Sequence, residues 1–218
     1  MEQSKINQFE PQIEGIKAAF FTELSSLYGC VKAQEITDIA WKQFQTNLPL
    51  IPEVSEKSPW IKNIIVICFE IGIWRQLESE GIPLYEISAM TWRILNMALS
   101  KLPSKVIENS QNMMLSVTYV ERIADDSEKL DSSCNWKVKA IYPTESDTFD
   151  IGMDVLSCPV IALCNNLGVA RYIPYLCQND YATYSAFGIR LERTQTLAEG
   201  GNKCDFRLSK EPIKKYKI

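Results

Sequence analysis

Near residue 130 the hydrophobic pattern of this chain changes its period, and no single class of secondary structure accommodates both halves. From Phe9 to Tyr28 the apolar residues Ile13, Ile16, Phe20, Leu24 and Leu27 recur at intervals of three and four, which places them on one face of an α-helix. Gly29 is positioned to end that helix. A second helix is expected from about Lys32 to Thr46, before Pro49 and Pro52. Ser58-Pro59 has the form of an N-cap followed by proline at the first helical position, opening a long apolar helix that runs to about Glu80 and stops at Gly81. Pro83 starts another, with Leu84, Ile87, Met90, Ile94, Leu95 and Met97 on a broad face, ending near Pro103. Residues Ser104 to Leu130 read as helix as well, although LSVTYV within them is strand-like.

After Asp131 the residues alternate instead. In NWKVKAIY, residues 135–142, Trp136, Val138, Ala140 and Tyr142 fall on one side of a half-buried strand. Pro143 to Asp147 supplies a turn, and Thr148 to Leu156 makes the second strand of a hairpin. Short helices are expected over Pro159 to Asn166 and Ala170 to about Ala182, separated by Gly168. Two further strands, Phe187 to Leu197 and Lys203 to Ser209, are joined by AEGGN, whose glycines take positive φ at no steric cost. The expectation is an α+β fold, a helical N-terminal half packed against an antiparallel sheet of about four strands. Residues 1–130 form the mainly helical part and 131–210 the part with the sheet. The loops at 55–59 and 125–133 are too short to link independent domains, so 1–218 is read as a single domain.

Function is constrained first by an absence: the 218 residues contain no His. That excludes the Ser-His-Asp triad, the Cys-His dyad and every His-ligated metal centre. Proton transfer must use a carboxylate, Lys, Tyr, Cys or water. A net charge of −4 argues against nucleic acid as a partner, and the local basic cluster Lys214, Lys215 and Lys217 reads as a solvated C-terminus. The longest apolar stretch, Ile64 to Trp74, is interrupted by Glu70 and is well short of the roughly 20 residues of a membrane span. The polar opening MEQSKINQFE lacks a signal sequence, and seven Cys in such a chain indicate reduced thiols and a cytoplasmic location. Neither GxGxxG nor GxxxxGK occurs, so no nucleotide is expected, and no other cofactor is indicated.

Reactive side chains concentrate in the last third. Cys158 follows an expected strand and directly precedes Pro159, placing it near a helix N-terminus, where partial positive charge favours the thiolate. Cys164 lies in the apolar run VIALC and reads as core. Cys177 stands three residues before Asp180, so the two could share a helix face and the carboxylate could serve as the missing base. Cys204 opens the last strand. A four-cysteine metal site from Cys158, Cys164, Cys177 and Cys204 would have spacings of 6, 13 and 27 with no CxxC pair, so no metal is expected. Arg190 and Arg193 are an odd number of positions apart on an expected strand, and only one can face a given pocket. Trp41, Trp60, Trp74 and Trp92 read as core or helix-interface anchors.

The segment FGIRLERTQTLAEGGNKCDFRLSK, residues 187–210, is similar to the C-terminal signature of the L-2-amino-thiazoline-4-carboxylic acid hydrolase family. The preceding FDIGMDVLSCPVIALCNNLG and PYLCQND resemble its order of strand, Cys, helix, Leu-Gly and Cys-x-x-Asp. The resemblance implies a small-molecule substrate and a hydrolase of C–N bonds other than peptide bonds, which opens a cyclic amidine to an N-carbamoyl amino acid. The matching positions are Cys158, Cys177, Asp180, Arg193, Thr194, Thr196, Glu199, Cys204 and Asp205. Of these, Cys158, Asp180 and Cys204 are the implied catalytic residues. Arg193, Thr194, Thr196, Glu199 and Cys177 are the implied substrate-binding ones, with Arg193 suited to a carboxylate and Asp180 or Glu199 to a protonated amidine. Attack could come from Cys158 as thiolate or from water activated by a carboxylate.

Two other readings stay open. The strand, Gly turn and Cys-x-Phe ending also loosely resemble sensor domains of the 4-vinyl reductase type, which implies a non-catalytic module around a large apolar pocket. The same scaffold could also serve a different small-molecule reaction. The apolar helical half is large enough to support a homodimer.

Overall fold

The computed structural model describes residues 9–56, 58–129 and 135–212. Residues 1–8 of the polar opening segment, the boundary at Asp131 and the basic cluster at Lys214, Lys215 and Lys217 lie outside the described residues. The arrangement is α+β, with helices dominating the N-terminal half and a four-stranded antiparallel sheet in the C-terminal half. The chain divides into two units, Met1–Ile94 with Val160–Tyr175, and Leu95–Pro159 with Leu176–Ile218.

The first unit is built on α1 (Glu10–Tyr28), α2 (Cys30–Asn47), α3 (Ile61–Ser79), the first part of α4 (Leu84–Ser100) and most of α7 (Pro159–Asn166). Helix α3 is apolar on every side, with Ile64, Ile65, Cys68, Phe69, Ile71, Ile73, Trp74 and Leu77 all buried. A helix without a polar face can only be central. It approaches α2 closely where Gly72 meets Ala40, since a Cβ at Gly72 would lie 2.9 Å from the Ala40 Cα. Trp74 anchors α4 by donating from Nε1 to Thr91 Oγ1 at 3.0 Å, whereas Trp92 remains 40% exposed.

The glycine stops act as expected. Gly81, at φ +88°, donates to the Glu78 carbonyl while Ile82 donates to that of Leu77, closing α3 with a Schellman turn. The start of α3 differs from expectation. Ser58 Oγ accepts from the Trp60 N–H and the Ser58 carbonyl from that of Ile61, so Ser58-Pro59 forms a turn leading into a helix that begins at Ile61.

The second unit comprises α5 (Ser104–Met114), α6 (Val117–Glu128), β1 (Lys137–Ile141), β2 (Ile151–Ser157), α9 (Asn179–Ala186), β3 (Ile189–Glu192) and β4 (Cys204–Lys210). A one-turn helix, α8 (Ile173–Leu176), precedes α9. The ambiguous LSVTYV proves to be a helix start, because Ser116 caps α6 by accepting from the Tyr119 N–H at 3.2 Å. The expected helix over Ala170 to Ala182 is interrupted and resumes at α9.

The strands run in the order β1-β2-β4-β3, all antiparallel. Register pairs Val155 with Cys204, Met153 with Phe206, and Leu191 with Leu208. Helix α6 packs on β1 and β2, and α9 on β3. Buried Gln111 of α5 donates to the carbonyls of Gly188 and Glu211, 2.7 and 2.9 Å away, and so clasps the end of the β3–β4 pair where β3 begins and β4 finishes. On the sheet, Asp154 receives Lys203 at 2.6 Å and Arg207 at 3.0 Å.

The strand expected from Phe187 to Leu197 is much shorter. It ends at Glu192 because the next residues are claimed by side chains. Asp205 accepts the backbone N–H groups of Thr194 and Gln195 at 2.9 and 2.8 Å and the Thr194 hydroxyl at 2.5 Å. Thr196 then caps the 3₁₀ turn Leu197–Glu199, and Gly200 leaves it at φ +84°. Local side-chain acceptors have displaced the sheet ladder.

Candidate active site

Arg193 is the first residue off β3, and there its side chain turns inward. Its Nη1 donates to Asp180 Oδ2 at 2.8 Å and its Nη2 to the Cys177 carbonyl at 3.0 Å. Its guanidinium lies 5.1 Å from the ring centres of both Tyr181 and Phe206, two cation–π contacts in a partly desolvated place. Arg190, by contrast, points outward to Glu192 and Glu211. Only one of the two arginines therefore turns to the cluster.

The pair is asymmetric, since the Arg193 side chain is 4% exposed and that of Asp180 40%. Burial pushes the Asp180 carboxyl above its ordinary range, and the Arg193 charge opposes that push. Tyr184, one helical turn beyond Asp180, packs its ring against Phe206 at 6.2 Å. Its hydroxyl is pushed up by burial and by the charge of Asp180.

Three cysteines share this environment. Cys177 precedes α9, and its thiol is pushed up by burial, then by Asp180, with Cys158 and Cys204 also acting on it. Cys204 faces the same way as Phe206 along β4; burial raises its thiol, against an N–H from Leu197 to its Sγ at 3.3 Å and the charge of Arg193. Cys158 lies between the end of β2 and Pro159, the first residue of α7. Cys177, Asp180, Arg193 and Cys204 are thus brought within electrostatic reach of one another, and Cys158 within reach of Cys177. Cys164 instead belongs to the first unit, buried near Cys68.

The remaining expected residues are engaged in holding the loop. Thr194 is bound by Asp205, whose carboxyl is pushed up by burial but carried below its ordinary range by the bonds from Thr194 and Gln195. The Thr196 hydroxyl donates to Glu199 Oε2 at 2.8 Å and accepts the Glu199 N–H, a local capping arrangement. These residues shape the segment that delivers Arg193 and Cys204.

Phe206 entered the sequence reading only as the last residue of the Cys-x-Phe ending, and residue-by-residue reasoning missed the aromatic walls Tyr181 and Tyr184, and Asn179. Their only sequence signal is the spacing Asp180, Tyr181, Tyr184 just after Cys177, which ordinary packing also produces. Two buried polar atoms beside the cluster have no hydrogen-bond partner in the protein, Arg193 Nε and Asn179 Oδ1. Such atoms are uncommon and costly unless something polar meets them.

Among the described residues no group of three or more Cys, Asp or Glu is placed to hold a metal ion, and no helix is long and apolar enough to cross a membrane. The first unit contains a groove of about 200 Å³ lined by Leu27, Tyr28, Ile82, Ile87, Met90 and Arg93, among others. Its guanidinium is already bound to Glu23 at 2.7 Å, so it has none of the convergent chemistry of the cysteine cluster.

Comparison with known proteins adds one result. The family model described as L-2-amino-thiazoline-4-carboxylic acid hydrolase matches residues 90–208, more than half of the chain and every member of the cluster. No curated protein and no solved structure matches the chain.

Proposed function

The chain belongs to the L-2-amino-thiazoline-4-carboxylic acid hydrolase family, and from that premise we propose that it opens a cyclic amidine of the 2-aminothiazoline-4-carboxylate type at the Cys158, Cys177, Asp180, Arg193 and Cys204 cluster. The observation that carries this reading is the Asp180–Arg193 pair flanked by two unpartnered buried polar atoms, Arg193 Nε and Asn179 Oδ1. Half-exposed Asp180 is the proton carrier that a chain without His requires.

The chemistry balances with these groups alone. The Cys158 thiol passes its proton to Asp180 as its sulfur adds to the amidine carbon of the ring. The tetrahedral adduct collapses with cleavage of the ring C–S bond, and the proton moves from Asp180 to the departing ring sulfur. Water then adds to the same carbon and Cys158 leaves as thiol, so that carbon becomes the carbonyl of an N-carbamoyl amino acid. Both nitrogens stay on that carbon, so the bond finally broken in the ring is carbon–sulfur. Cys177 and Cys204, whose thiols are pushed up, contribute neutral walls at pH 7.

The test is turnover of 2-amino-thiazoline-4-carboxylate followed by mass spectrometry of N-carbamoyl-cysteine. Asp180→Asn and Cys158→Ala are each expected to lose at least about a hundredfold in kcat. Full activity in Cys158→Ala would transfer the attack to water, and full activity in both variants would remove the reading.

A further inference from the structure

Resting on that reading, we propose that Arg193 is a positioning residue, acting on the reaction through Asp180 rather than by gripping a substrate carboxylate. A carboxylate is best recognised by an arginine when two parallel N–H groups are open to it. In Arg193 that fork is divided, with Nη1 on Asp180 at 2.8 Å and Nη2 on the Cys177 carbonyl at 3.0 Å. The rings of Tyr181 and Phe206 both lie 5.1 Å from the guanidinium carbon. Of the three guanidinium nitrogens only Nε lacks a partner, so no two neighbouring nitrogens are both uncommitted and open to a carboxylate side by side. The side chain is 4% exposed while that of Asp180 is 40% exposed, so of the two charges it is the carboxylate that can meet a substrate.

This arrangement has two consequences for Asp180. Its direction is fixed, because the cation is itself held by the Cys177 carbonyl and by contacts with two aromatic rings. Its ionised form is sustained where burial alone would favour the neutral acid. The other titratable groups acting on or beside the pair are Cys177, Cys204, Tyr181 and Tyr184, with Tyr119 of α6 next to Tyr184, and none of these carries positive charge. Arg193 is the only cation among these groups. Lysine would not replace it, since a point charge on a flexible stem cannot span Asp180 and the Cys177 carbonyl while keeping a planar group against two rings.

The experiment is a ¹³C carboxyl NMR titration of the full chain, with the Asp180 resonance identified by its loss in Asp180→Asn. In Arg193→Met the Asp180 midpoint moves to higher pH, and Arg193→Lys, which keeps a charge and serves if the Met variant is unfolded, gives a smaller move in the same direction. Turnover provides the second readout. Both variants lose about tenfold to a hundredfold in kcat, the acid limb of the pH profile shifts upward with the midpoint, and KM stays within about threefold. The same fold loss is expected with 2-amino-2-thiazoline, which lacks the carboxylate. An unmoved Asp180 midpoint, or a KM increase confined to the carboxylate-bearing compound, would overturn the assignment. A wild-type chain that hydrolyses neither compound, yet shows the midpoint move, would reject the proposed reaction and uphold the Arg193–Asp180 coupling.

Discussion

Glu70 shows what a single residue can cost this molecule. It stands alone as an acid in the apolar run from Ile64 to Trp74, an interruption that did not prevent the sequence from being read as a buried helix. Within α3 it is 7% exposed, and burial pushes its carboxyl up to about 8. A carboxyl with a raised value in the folded chain takes up protons more readily there than when unfolded. Its effect is therefore neutral below the unfolded value near 4.3 and grows unfavourable as pH rises towards 8. Stability is expected to fall over that interval by on the order of a few kcal/mol. Glu70→Gln should flatten the dependence, as judged by urea midpoints at pH 5.5 and 8. Equal slopes in the two proteins would show that Glu70 is not held as the neutral acid. The candidate site was less legible at this scale. Cys158, Asp180 and Arg193 stood out as reactive types, but Asn179, Tyr181 and Tyr184 have the helical spacing of ordinary packing residues.

At the scale of elements, helices were easier to read than strand ends. The period of three and four, with Gly29 and Gly81 as stops, gave α1 and α3 to within a few residues. The alternation from Phe187 onward is real for four residues, with Ile189 and Leu191 buried and Arg190 and Glu192 exposed. It fails at Arg193 because the acceptor for the Thr194 and Gln195 N–H groups is Asp205, on another strand. Nothing in the local pattern reveals that competition. Asp205→Ala removes three hydrogen bonds to one carboxylate and should cost about 2–4 kcal/mol, measurable by chemical denaturation. The Asp205 value is lowered in the folded chain, so its contribution is present above the unfolded carboxyl value and is lost as pH falls through the lowered one. Loss of the Ser116 cap is a smaller matter, and Ser116→Ala should lower stability by about 1 kcal/mol. An unchanged denaturation midpoint would mean that α6 starts without it.

Over the whole molecule, sequence reasoning located a segment but not which of its residues converge. Of the four cysteines between 158 and 204, the apolar run VIALC marks Cys164 as core, but nothing in the sequence marks which of the other three converge. The fold separates them, taking Cys164 into the first unit with Cys68 and, in the second, bringing Cys177 and Cys204 to Arg193 and Cys158 to Cys177. That sorting depends on tertiary topology, which spacing alone does not encode. The family match spans the same region, and the account's central claim is that this cluster carries out a hydrolysis. Turnover of 2-amino-thiazoline-4-carboxylate in H₂¹⁸O tests it most directly, because hydrolysis must place a solvent oxygen on the former amidine carbon. N-carbamoyl-cysteine with one heavy oxygen is predicted from the wild-type chain, and none above background from Asp180→Asn. No product, or labelled product formed equally well by Asp180→Asn, would contradict the account.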